Sequence, residues 1–402
     1  MLAGESRTFA PVPRKTRRRC GPRTAVPNRM ATTPMTRNWA LDLLRLVAVL
    51  LVIWHHQLGE EAVKGGLGLW QVTTRGGWVG VDLFFVLSGY LVGGLLFQEQ
   101  ARFGGVDWKR FLIRRGLKIY PAFYVLLAVI VVPEWQSGAP RIQRIFGELF
   151  FLQNYLGGLR DHTWSLAVEE HFYLLLTALV VWLSRRKPGQ ADPFTAIPRI
   201  VAGVAVACLG FRVLTALCAP QLLPGPFVWT HLRMDALAFG VLLAYGMQFH
   251  GAVLRRYLER GRWALVAAGV LLLLPAYLLQ PETGLLLQRT VGYTATYLGA
   301  GLLVAVAATQ PLRTPPRWLG WAAALGAYSY SIYLWHMEVI YRLFRELHLK
   351  RGWSSWSTAI CCLIMSLVVG VVLGRVIEWP VLWWRNRVFP SRTGTNPGAT
   401  GA

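Results

Sequence analysis

The chain has 402 residues, 54% apolar and only 15% charged, with a formal net charge of +23. A soluble domain is nearer a quarter charged, and here the apolar residues come in repeated runs of about 20, the length that crosses a bilayer as a helix. This makes the fold all-α, a polytopic transmembrane helical bundle. It also removes the nucleic-acid reading of the positive charge, because Arg and Lys cluster between the apolar runs.

Residues 1–36 are rich in Arg, Pro and Thr and include the run Arg14, Lys15, Arg17, Arg18, Arg19. They hold too few large apolar residues to fold alone. No small-residue cleavage site closes the apolar run that follows, so that run reads as a retained span and the basic tail as cytoplasmic. Met35 is a candidate start, because the organised sequence begins there.

The first span, 39–58, carries four groups that a lipid-facing helix should not have: Asp42, Arg45, His55 and His56. Arg45 and His56 are eleven residues apart, three turns plus about 20°, so they share a face with roughly 16 Å between them. His55 points about 100° away. Such groups usually face a water-filled or protein-lined cavity. A snorkelling Arg45 and an interhelical hydrogen bond from His56 would also explain the pattern.

Nine further spans are expected at 77–97, 117–133, 166–184, 197–218, 230–248, 262–280, 289–309, 321–341 and 356–378, making ten. With the start inside, the connections 98–116, 185–196, 249–261 and the one holding Arg313 and Arg317 are cytoplasmic and basic, and both termini are cytoplasmic. The outer connections 59–76, 134–165 and 219–229 are near neutral. Loop 342–355, with Arg342, Arg345, Lys350 and Arg351, is the exception. Ile145–Tyr155 is apolar but too short to span, so it is expected as a surface or re-entrant segment. Residues 386–402 are expected as a disordered tail. Cys20, Cys208, Cys218, Cys361 and Cys362 show no metal-ligand or redox spacing, and no metal site is expected.

The second span opens Gly80-Val81-Asp82-Leu83-Phe84-Phe85-Val86-Leu87-Ser88-Gly89-Tyr90, where Asp82 and Ser88 are polar intruders and Gly89, Gly93 and Gly94 would let another helix come close. At the third span, Arg114, Arg115 and Lys118 form a basic end. Arg115 and Lys118, three apart, could grip phosphate or simply anchor the helix. The fourth opens Trp164-Ser165-Leu166-Ala167-Val168-Glu169-Glu170-His171, and Ser165, Glu169 and Tyr173 share one face. The carboxylates could equally cap the helix. The sixth opens with His231, Arg233 and Asp235. In the ninth, Ser329, Tyr333 and His336 share a face. Depth then puts Asp82, Glu169, Asp235, His56 and His336 toward the outside and the basic pair inside, an arrangement that fits a donor held from the cytoplasm and an acceptor approached from outside.

Over residues 37–385 these motifs together resemble the acyltransferase 3 family of integral-membrane O-acyltransferases. The parts that carry the likeness are Arg45 with His56, the Gly80–Tyr90 stretch, Trp164–Glu170, Arg233 with Asp235, and Ser329–His336. The family's second basic residue after Arg115 is Lys118 here, which keeps charge but not the bidentate fork. His171 stands where Gln is frequent. The resemblance implies a ten-helix fold and acyl transfer, acetyl from acetyl-CoA foremost, to a hydroxyl of a carbohydrate or a secondary metabolite. No permanently bound cofactor is expected, the acyl-CoA being a substrate.

The chemistry that follows assigns His56 as general base on the acceptor hydroxyl. Glu169, Asp82 or Asp235 would support it, and Arg45 would contact donor phosphate or the thioester carbonyl. Arg115 and Lys118, with Arg114, would hold the nucleotide end of coenzyme A. Ser88, Trp164, Ser165, Glu170, Tyr173, Arg233, Tyr333 and His336 are expected to line the cavity. A cell-envelope polysaccharide and a small metabolite such as a macrolide compete as acceptor. A proton-coupled transporter in the same bacterial plasma membrane is the rival of another class.

Overall fold

The computed structural model describes residues 38–57, 69–136, 138–218, 225–278, 286–310 and 315–393. The basic N-terminal tail, most of the first outer connection, Arg313, and residues 394–402 lie outside them. Among the described residues the chain is helical throughout, without strands.

Helix α1 (Trp39–His55) starts where the Asn38 side chain accepts from the Ala40 amide at 2.9 Å, an N-cap that satisfies an otherwise orphaned donor. The same side chain donates to the Ala307 carbonyl at 3.1 Å, tying this end to a helix late in the chain. A short α2 (Leu69–Arg75) and one tight turn lead into α3 (Val79–Phe103). Gly104, with positive φ, ends α3. Then come α4 (Trp108–Gln136), α5 (Ile142–Leu149), α6 (Gln153–Leu156), α7 (Trp164–Arg186) and α8 (Ile197–Cys218). Next, α9 (Thr230–Phe249) bends by 110° into α10 (Gly251–Arg260), followed by α11 (Arg262–Leu273) and α12 (Pro275–Leu278). The last group is α13 (Tyr293–Ala308), α14 (Arg317–Gly326), α15 (Ser329–Leu343), α16 (Ser355–Leu373) and α17 (Trp379–Val388).

Six continuous helical stretches among the described residues are long and apolar enough to cross a membrane, and seven if α9 and α10 count as one bent span. The ten-span reading meets shorter or broken helices elsewhere. α1 has 17 residues and stops before His56. The run 262–280 breaks at Leu274, before Pro275, as an interior proline dictates. The run 321–341 is two helices, α14 and α15, with the break at 327–328. Gly326 explains why α14 sits where it does: a Cβ there would lie 1.8 Å from the Asp42 carbonyl oxygen, so α14 rides directly on the backbone of α1. The apolar stretch at 145–155 forms α5 and α6, whose Ile142, Phe146 and Leu149 are exposed.

The most extensive contact is α3 on α9. Gly89 and Gly240 make it possible, each facing backbone of the other helix. Around this pair pack α1, α7 and α13, while α1 also lies against α14 and α15. Residues 386–393, assigned by sequence to a tail, instead hold the start of α4: Arg114 donates to the Phe389 carbonyl and Arg110 to that of Pro390.

Candidate functional site

Helices α1, α3, α4, α7 and α15 converge on a cavity of about 160 Å³ whose walls are mostly apolar. Its polar side chains are those of Arg45, Ser88, Arg115, Lys118, Ser165, Glu169, Ser329, Tyr330 and Tyr333. Arg45 reaches it with one guanidinium nitrogen already given to Asp42, at 2.6 Å.

The face predicted on α7 carries the centre of the network. Tyr173 donates to Glu169 at 2.8 Å, four residues back, and accepts from Arg115 and Ser88. One phenol thus joins three helices, and the Arg115 guanidinium also lies over its ring, 4.3 Å from the centroid. Lys118 pairs with Glu378 at 3.2 Å, and the second oxygen of that buried carboxylate has no partner. Glu170 turns away, accepting from Tyr120 at 2.9 Å, and His171 pairs with Thr230 at 2.7 Å.

Beyond Tyr333 lies a group of histidines. Tyr333 shares its hydroxyl with Ser165 at 2.7 Å and donates to the His162 carbonyl at 2.8 Å. Its ring is 5.5 Å from that of the fully buried His336. His336 Nε2 lies 3.2 Å from His56 Nδ1. The His162 ring stands edge-on to His336 at 4.9 Å, and His55 follows His56 at 5.3 Å. His162, in the loop before α7, is held neutral: burial pushes its pKa down to about 3, with the charge of a protonated His56 acting the same way. In the same loop region burial raises the pKa of Glu148, while its bonds to Thr163 and the Leu159 amide pull it back. That carboxylate fastens the loop that presents His162, Trp164 and Ser165.

Asp82 and Asp235 occupy a different layer. Arg233 pairs with Asp82 at 2.8 Å, where Thr296 adds a bond of 3.2 Å, and its guanidinium stacks 3.8 Å from the Tyr293 ring centroid. Trp164 also flanks it, at 5.6 Å. Arg212 pairs with Asp235 at 2.8 Å and donates to the Leu232 carbonyl. The two aspartates are therefore neutralised by arginines, and none of the three carboxylates expected beside His56 is a hydrogen-bond partner of it. Its partners are the Val52 carbonyl and His336. Arg114 lies outside the cavity, on Phe389 and Asn386.

Arg212, His162 and Glu378 are the site residues that sequence reasoning passed over. Arg212 had a signal, an arginine well inside the apolar run 197–218, whose other arginine, Arg199, lies at its start. The other two acquire their meaning only from partners far along the chain. Among the described residues no group of three or more His, Cys, Asp and Glu side chains is arranged to hold a metal ion.

A family model described as an acyltransferase domain matches residues 38–375. The peptidoglycan O-acetyltransferase OatA of Listeria monocytogenes is 26% identical over 392 residues, an alignment covering 87% of this chain and 57% of that protein. The O-acetyltransferase OatA of Staphylococcus aureus is 25% identical over 371 residues, covering 85% and 56%. The chain thus spans little more than half the length of these curated relatives. No solved structure matches.

Proposed function

The chain belongs to the acyltransferase 3 family, and from that premise we propose that it transfers an acetyl group from acetyl-CoA to a hydroxyl of a cell-envelope carbohydrate. The observation that carries this is one cavity in which three cations, Arg45, Arg115 and Lys118, meet, with the His56–His336 pair behind its Tyr333 wall. The named activity of the OatA relatives favours a carbohydrate over a small metabolite.

The proposed topology has ten spans, counting α1, α9, α11–α12 and α14–α15, with α10 and both termini on the cytoplasmic side, as the basic connections favour. Arg115 and Lys118 then face the cytoplasmic approach. Their charge suits the phosphates of coenzyme A, and a phosphate arriving at Lys118 competes with Glu378. Arg45, roughly 16 Å along α1 from His56 and turned back to Asp42, serves a donor phosphate and not the thioester carbonyl at which His56 acts.

The acceptor hydroxyl oxygen attacks that carbonyl carbon. Its proton passes to His56, the carbon–oxygen bond forms, and the carbon–sulfur bond breaks. The proton then leaves His56 for the departing thiolate, which closes the balance as an O-acetyl ester and free coenzyme A. The test is mass spectrometry of envelope glycans from cells making the wild-type or the His56→Ala protein, both verified as inserted. An acetyl increment on glycan that needs His56 supports the proposal. Equal acetylation by both removes His56 as the base. No increment with either in any glycan fraction removes the carbohydrate acceptor.

A further inference from the structure

The general base has no carboxylate behind it, yet its imidazole must be held in one tautomer to work. We infer that His336 is a positioning residue that acts with the Val52 carbonyl, sharing the Nδ1 proton of His56 and holding its ring while Nε2 stays free to take the acceptor's proton. The inference rests on the reading of His56 as base.

Three backbone carbonyls decide the tautomers, because a carbonyl only accepts. His56 Nδ1 lies 2.8 Å from the Val52 carbonyl oxygen, so that nitrogen carries the hydrogen. His336 Nδ1 lies 2.5 Å from the Tyr333 carbonyl, so it too carries a hydrogen, and its Nε2 is a bare acceptor. That acceptor stands 3.2 Å from His56 Nδ1. The His56 N–H is therefore shared between a carbonyl and an imidazole lone pair, and Nε2 of His56 is left unprotonated. His162 donates from Nε2 to the Leu334 carbonyl at 3.1 Å and sets its ring edge-on against His336, holding that ring's plane.

The groups facing this pair are His55, whose Nδ1 meets the Thr74 carbonyl, His162, and Tyr333. Glu338, the nearest carboxylate along α15, is given to Arg160 at 2.6 Å. When His56 becomes an imidazolium, the lone pair of His336 is the group placed to spread its charge. Full transfer of the Nδ1 proton to His336 is disfavoured, since it would leave a bare His56 Nδ1 against the Val52 carbonyl. His336 thus orients and stabilises without becoming the proton carrier.

The test uses purified full-length protein, acetyl-CoA and soluble glycan fragments of peptidoglycan, following release of the coenzyme A thiol. His336→Phe removes the acceptor, whereas His336→Gln keeps an amide oxygen that can accept from His56 Nδ1. Removing such a group is expected to lower kcat on the order of 100-fold, with KM for acetyl-CoA little changed, and to move the acid limb of the pH profile. His336→Gln is expected to recover most of that loss. An unchanged kcat and acid limb in His336→Phe, with His56→Ala inactive, overturns the positioning role and leaves the base reading intact. So does a parallel loss in both His336 variants together with a lowered melting temperature, which would mark packing alone. An active His56→Ala removes the base reading first and this inference with it.

Discussion

Replacing Gly89 by Ala probes the contact on which the whole site is hung. A Cβ at Gly89 would lie 1.9 Å from the carbonyl oxygen of Leu237 and 3.2 Å from the Cα of Gly240. The obstacles are backbone atoms, so no side-chain rotation relieves them, and α3 and α9 must part by more than about 1 Å before a methyl fits. The Asp82–Arg233 pair bridges the same two helices at 2.8 Å, and an added 1 Å or so carries it out of hydrogen-bond range. Overpacking costs about 1–3 kcal/mol, and a fully broken buried pair about 3–5 kcal/mol, so a loss of about 2–5 kcal/mol is expected. The control is Gly203→Ala on α8, where nothing lies within 4 Å and helix propensity favours Ala by up to about 1 kcal/mol. The assay is thermal unfolding in detergent, with membrane accumulation measured alongside. Gly89→Ala melting with the wild type, while Gly203→Ala gains nothing, would refute the reasoning.

Arg212→Met strands Asp235 in the interior and should cost about 3–5 kcal/mol, whereas Arg212→Met with Asp235→Asn should cost clearly less; equal melting temperatures for the two would deny the pair its role. His162 is neutral in the folded protein down to about pH 3, while its unfolded form takes a proton below its ordinary value of 6.5. The unfolded state then binds more protons, so stability falls as pH drops below 6.5, by up to about 1.4 kcal/mol per pH unit. His162→Phe should flatten that slope in melts between pH 4 and pH 7, the range set by these two values. Glu378→Gln frees Lys118 for a donor phosphate, so the affinity for acetyl-CoA should rise several-fold in isothermal titration; an unchanged or weaker affinity would separate Lys118 from donor binding.

The parts of the site that were legible in the sequence are those whose geometry is local. Ser165, Glu169 and Tyr173 fall on one face of α7 because helical periodicity alone puts them there, and Tyr173 does reach Glu169. Arg45 was visible as a charge in an apolar run and Arg115 as part of a basic helix end, and both line the cavity. What stayed hidden is the choice of partner. Asp82, Asp235 and Glu169 looked equivalent as supports for His56, yet the first two are claimed by Arg233 and Arg212. Arg114 and Arg115 are neighbours in sequence, but one turns to the Phe389 carbonyl and the other to Tyr173. The break between α14 and α15 has no proline to announce it, and α14 is placed by the close approach of Gly326 to α1. Such decisions belong to packing between distant segments, which periodicity cannot encode.

Three pairings join early segments of the polypeptide to late ones: His56 with His336, Lys118 with Glu378, and Asn38 with Ala307. Synthesis runs from the N-terminus, so α1, α3 and α4 enter the bilayer long before their partners exist. Through that interval Arg45 and Lys118 lack the enclosure that α15 and the turn at Glu378 later provide. The chamber is consequently a late product of biogenesis, and a nascent chain stalled before α15 holds every early motif while lacking the wall of Ser329, Tyr330 and Tyr333. Two separately expressed pieces divided in the 250–262 region would each insert without activity and gain it only on meeting.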